Sequence, residues 1–100
     1  ILRDASPAHA GGAAVSLYES LDKLAQLARE EDDAPRATAR VLSMVGQIRH
    51  SRSDYAAARV ELELAEQRLR ESGFEFSPER VLALEKLGDV ERALGEMERA

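Results

Sequence analysis

One block of this sequence occurs twice at a constant spacing. Leu42-x-x-Val45-Gly46, followed by Asp54-Tyr55-x-x-Ala58, returns as Leu84-x-x-Leu87-Gly88, followed by Glu96-Met97-x-x-Ala100, with every position displaced by 42 residues. A fixed offset over that many positions is the mark of a structural unit used more than once, stacked so that neighbouring units share a core. The chain is therefore expected to be built from repeated helical hairpins. Such arrays expose long faces and usually serve recognition rather than catalysis.

Composition agrees with a helical reading. Hydrophobic residues make up 44% of the 100 residues and aromatics 4%, with no Trp, so the core must come from Leu, Val and Ala. These side chains suit close helix packing better than the β-branched and aromatic interior of a sandwich, and the predicted class is all-α. A formal net charge of -5, with Arg interleaved among Glu and Asp, works against a nucleic-acid interface, which needs clustered basic surface. Absence of Cys removes disulfides and thiolate chemistry and fits a reducing compartment. No apolar run approaches the about 18 residues of a membrane span, and Ile1-Leu2-Arg3-Asp4 lacks a signal-peptide layout, so a cytoplasmic protein with no membrane partner is expected.

Residues 1–12, with Ser6-Pro7 and Gly11-Gly12, read as a loop or frayed helix end, and residues 13–100 as the repeat domain. Ala14, Leu17, Leu21, Leu24 and Ala28 step by three and four, predicting a first helix over about 13–31. Asp33 as a cap and Pro35 in a first turn open a second over about 34–50, with Ala37, Val41, Val45 and Ile48 inward. After the turn His50-Ser51-Arg52-Ser53, with Ser53 or Asp54 capping, Tyr55, Ala58, Leu62, Ala65 and Leu69 mark a third over about 54–71, with Glu61 off the apolar stripe. Ser72-Gly73 stops it, and Ser77-Pro78-Glu79 starts a fourth over about 78–93 with Val81, Leu84, Leu87 and Val90 inward. Phe74 and Phe76 in the intervening loop are expected to plug the core. A turn at Leu94-Gly95 and the start of a fifth helix at 96 follow from the repeat.

The set Leu42, Val45, Gly46, Ala58 and Leu62, with its second copy Leu84, Leu87, Gly88 and Ala100, resembles the tetratricopeptide repeat. Small residues at Gly46, Gly88 and Ala58 let two antiparallel helices approach, while Leu42 and Leu62 fill the space beside them. Arg49 and Glu91 stand where that family carries an aromatic, Pro78 comes late, and the period exceeds the common about 34 residues. Longer units of this kind are similar to the repeats of kinesin light chains and of bacterial regulators. The resemblance implies a right-handed antiparallel hairpin solenoid of about two repeats, cut from a longer array, with Tyr55 in the structural set.

It also implies a concave groove lined by the first helix of each unit. That places Arg40, Ser43, Gln47 and His50 of the second helix, and Glu85, Asp89 and Arg92 of the fourth, against a partner peptide or helix. The acids among them disfavour the subtype that grips a terminal carboxylate. Catalysis is not expected: His9 and His50 lie far apart, no His/Glu set has metal spacing, and no Gly-rich phosphate loop follows a strand, so neither cofactor nor metal is foreseen. Two other readings stand beside the scaffold: a peptide- or protein-sensing segment of a bacterial transcriptional or signalling regulator, and a structural four-helix bundle used for dimerisation. Open repeat ends also favour a homodimer.

Overall fold

A computed structural model describes residues 8–99, with side chains described from residue 16 onward. It places four helices there: α1 (Ala8–Glu30), α2 (Pro35–Ser51), α3 (Tyr55–Glu71) and α4 (Pro78–Arg99). All regular structure among the described residues is helical, the class that a Leu/Ala/Val core calls for.

Helix boundaries differ from the sequence expectation at two glycine sites. Helix α1 runs through Gly11-Gly12, so the loop expected up to residue 12 is helical from Ala8, while residues 1–7 of that expectation lie outside the described residues. Helix α4 likewise continues through Leu94-Gly95 to Arg99, and no fifth helix starts at 96. The reason is local. A helical Gly costs only about 1 kcal/mol relative to Ala, and neither site is followed closely by a Pro, as Ser72-Gly73 is by Pro78, that would reopen the chain.

Real stops carry a fuller signal. Beyond α3, Gly73 takes φ +85°, the Phe74 amide donates to the Leu69 carbonyl at 2.7 Å, and the Gly73 amide to that of Arg70 at 3.4 Å. Beyond α2, Ser53 takes φ +64°, the Asp54 amide donates to Arg49 at 2.8 Å and the Ser53 amide to His50 at 2.9 Å. Both hairpins thus turn through the same Schellman motif, with one residue in the left-handed region. The residues expected to cap do so unequally. Ser77 accepts the Arg80 amide at 3.3 Å at the head of α4, whereas α2 and α3 begin at Ala34 and Asp54 with no side-chain cap. At the tail of α1, Arg68 reaches over from α3 and donates to the Ala28 and Arg29 carbonyls, serving acceptors the helix itself leaves open.

Helix α2 packs against α1, α3 and α4, and α3 also packs against α4, while α1 has few backbone approaches to α3 or α4. The principal core joins Leu21, Ala25 and Ala28 of α1 with Ala39, Leu42 and Val45 of α2, Ala65 and Leu69 of α3 and Ala83 of α4. A smaller cluster holds Ala58, Leu62 and Val90, with Tyr55, Leu87 and Leu94 against it. Between α2 and α3 the approach is so close that a Cβ on Gly46 would lie 2.8 Å from Leu62 Cγ. Only glycine fits there. Gly88, its counterpart 42 residues on, meets nothing within 4 Å, because none of the described helices packs on that side of α4.

Some inward assignments also change. The α3 stripe Ala58, Leu62, Ala65 and Leu69 is fully buried as expected. On α4, Val81 and Leu84 are exposed, and the buried positions are Glu79, Ala83 and Val90. Ala37 is exposed as well, and Leu24 lies partly open. Phe74 packs on the core but Phe76 is 92% exposed, because Phe74 alone occupies the Schellman position that folds back over Leu69. Ala14 and Ala100 lie outside the described side chains.

Candidate partner-binding face and a buried ion-pair hub

A helix packed on three neighbours keeps a narrow strip of open surface. On α2 that strip is Arg36, Arg40, Met44 and Gln47, at steps of four, four and three, all exposed. Displaced by 42 residues, the last three correspond to Leu82, Lys86 and Asp89 on α4, where Leu82 is exposed and the other two half-buried. The two strips are joined at one end. Glu79 accepts from Arg36 Nε and Nη2 at 3.1 and 3.0 Å, and from Arg40 Nε and Nη2 at 3.0 and 2.6 Å. Hydrogen bonds from Arg36 and then Arg40 hold the Glu79 carboxyl down at about 2, well below the ordinary carboxylate range.

The expected contact residues are divided by this geometry. Arg40 and Gln47 lie on the open strip, with Glu85 and Arg92 exposed on α4 and Asp89 beside Arg92 at 3.4 Å. His50 is half-buried, its ring tilted on Tyr55 of α3 at 5.5 Å between centroids. Ser43 is the clear correction: it is 4% exposed and is not a surface residue. Three neighbours widen the buried arc of α2 past the apolar stripe and over Ser43, whereas its counterpart Glu85, on a helix with fewer neighbours, stays open. Arg36 and Met44 are functional candidates that sequence reasoning missed. A step of four residues on either side of Arg40 points to both.

A second polar centre is inside the protein. Arg49 is 5% exposed and Glu61 2%, and Arg49 Nε donates to both Glu61 oxygens at 2.8 and 2.9 Å. Its Nη2 reaches Asp22 at 2.7 Å, and Asp54 and Arg29 stand at 3.7 and 3.8 Å from the pair. Burial pushes the Glu61 carboxyl upward against the pull of Arg49; at Arg49 burial acts downward, but the hydrogen bonds it donates to Glu61 and Asp22 outweigh it and hold the guanidinium above the ordinary value. Above the hub lies an open hollow of about 590 Å³, with Tyr18, Gln26 and Val60 on its walls. Glu61 was expected off the buried stripe. The signal for the pair was Arg49 itself, standing in a position that the resembled repeat fills with a buried aromatic.

Among the described residues, no group of three or more His, Asp or Glu is placed to hold a metal ion, and no helix is long and apolar enough to cross a membrane. Comparison with protein-family models, curated proteins and solved structures returned no match to this chain.

Proposed function

We propose that the chain is a protein-interaction scaffold: a short array of tetratricopeptide-like hairpins whose α2 and α4 strips take a segment of a partner protein. The observation that carries this reading is an exposed strip on α2 and a partly exposed strip on the repeat-related α4, tied together at one end through Arg36, Arg40 and Glu79. Support for an open array comes from α2 touching three helices while α1 has little approach to α4, a pair that a closed four-helix bundle would bring together. The radius of gyration, 15.7 Å, also exceeds the about 13 Å of a compact domain of this length. Tight packing at Gly46 and Leu62 supports the hairpin frame.

Placing a photo-crosslinking residue at Gln47 tests the groove, with Arg59 on α3 as the control position. Capture through Gln47 is expected to change on charge reversal of Glu85 and Asp89 together, with circular dichroism unchanged. Capture unaltered by the reversal, or equal at Arg59, contradicts the proposal.

End-to-end association is a second reading, favoured by apolar surface at both ends of the array. Val81, Leu84 and Gly88 lie open on α4, and Leu24, Leu27, Ala37 and Val41 line a hollow of about 220 Å³ between α1 and α2. Seating α4 of one copy in that hollow of another continues the stack, a heterologous contact that forms chains rather than a closed pair. Sedimentation mass rising with concentration, and reduced by Leu84→Glu, is the expected result; a concentration-independent monomer removes this reading.

A further inference from the structure

The end of the α2 strip carries more positive charge than its internal partner neutralises. Arg36 and Arg40 converge on a single carboxylate, Glu79, yet their side chains remain 47% and 65% exposed while Glu79 is 8% exposed. Each guanidinium therefore keeps N–H groups directed to solvent, since the planar fork has five donors and only two of each are used here. On the matching strip of α4, Lys86 and Asp89 offset one another, so the surplus comes from the two arginines. In a chain of net charge -5 this is a local surplus of positive charge.

Apolar surface adjoins the two arginines. Arg36 and Arg40 line a hollow of about 380 Å³ with Ala34, Pro35, Ala37 and Phe74, and Arg36 sits over the Phe74 ring at 5.5 Å from its centroid. Met44 continues the strip one turn beyond Arg40 and is exposed, as is Leu82 on the facing helix. The Arg36 and Arg40 side chains are already held in place by Glu79, so an incoming anion meets donors that have lost most of their freedom. That lowers the ordering cost of binding.

Resting on the scaffold reading above, we infer that this end of the groove seats an acidic, amphipathic segment of a partner protein, with a carboxylate on Arg40 and Arg36 and an adjacent apolar side chain in the Phe74 hollow. Charge complementarity selects the acid, because an Arg fork binds carboxylate in two parallel hydrogen bonds and a basic segment meets like charge. The hollow selects the neighbour: a side chain such as Leu or Phe is covered there, whereas a purely acidic tract leaves it empty.

A fluorescent peptide alternating Glu with Phe and Leu tests this by anisotropy, beside a twin with Gln for Glu and a twin with Lys for Glu. The acidic peptide is expected to saturate, to weaken about tenfold against Arg40→Gln, and to weaken with added salt. Arg36 still holds Glu79 in that variant, so the helical signal should be unchanged. A second variant, Ala37→Glu, places an acid in the hollow beside both arginines and should weaken the acidic peptide by competing for them and repelling its carboxylates. Equal binding by the Gln twin, or unchanged affinity in both variants, overturns the inference. Amide shifts separate the two levels: if only the Lys twin binds and perturbs Gln47 and Asp89, the acid seat fails while the groove stands. If no peptide perturbs α2 or α4, both fail.

Discussion

Arg49 shows how one residue departs from a repeat pattern and is still accommodated. A buried aromatic needs only apolar neighbours, but a buried guanidinium needs acceptors, and Glu61, Asp22 and Asp54 supply them from α3, α1 and the turn between α2 and α3. Removing one partner strands the other, so Arg49→Met should cost about 3 kcal/mol, the lower end of the range for a broken buried pair because the hub opens onto a hollow. Urea denaturation measures it. Arg49→Met combined with Glu61→Leu should recover most of that loss, and a double variant as unstable as the single one contradicts the ion-pair account. Glu79 gives a pH dependence of known sign. Its carboxyl is held down at about 2 from an ordinary 4.5, so its contribution is present above 4.5 and is lost as the pH falls toward 2. The acid limb of a pH–stability curve should flatten in Glu79→Gln; an unchanged limb rules out this source. Neither Glu61 nor Glu79 was legible as buried, because both read as ordinary solvated acids until the Arg across the interface is known.

At the scale of elements, the helices were readable where breaker and cap coincide. Ser72-Gly73 and Ser77-Pro78 bound α3 and α4 where the sequence placed them. Gly11-Gly12 and Leu94-Gly95 misled because glycine without a closely following Pro is only a weak helix former, not a stop. The α4 stripe misled at Val81 and Leu84 for a different reason: periodicity shows that they lie on the side of Leu87, which does pack, not how far around α4 its neighbours reach. The two Schellman turns make a prediction at this scale. Ser53 holds φ +64° without the freedom of glycine, so Ser53→Gly should stabilise the α2–α3 hairpin by about 1 kcal/mol. A raised thermal midpoint is expected, and a fall contradicts the turn geometry.

For the whole molecule, the 42-residue spacing proved most informative about packing and least about partners. It pointed to the Gly46 approach correctly, because close backbone contact demands a residue without a side chain. It placed Ser43 wrongly, because which flank of a helix is covered depends on how many neighbours stack beside it, and spacing along the chain does not count neighbours. The candidate face was half legible: Arg40 and Gln47 lie on it, and Arg36 and Met44 complete it. One glycine of the repeat pair sits inside the α2–α3 hairpin and the other on an uncovered side of α4, the arrangement that the proposed open array calls for. Thermal melts of Gly46→Leu and Gly88→Leu, taken at low protein concentration, test it most directly. A marked drop in midpoint is expected for Gly46→Leu, where Leu62 blocks the new side chain, and no loss for Gly88→Leu, where nothing lies within 4 Å. Equal destabilisation by the two would mean that Gly88 is covered, as in a closed bundle, and would contradict the open array.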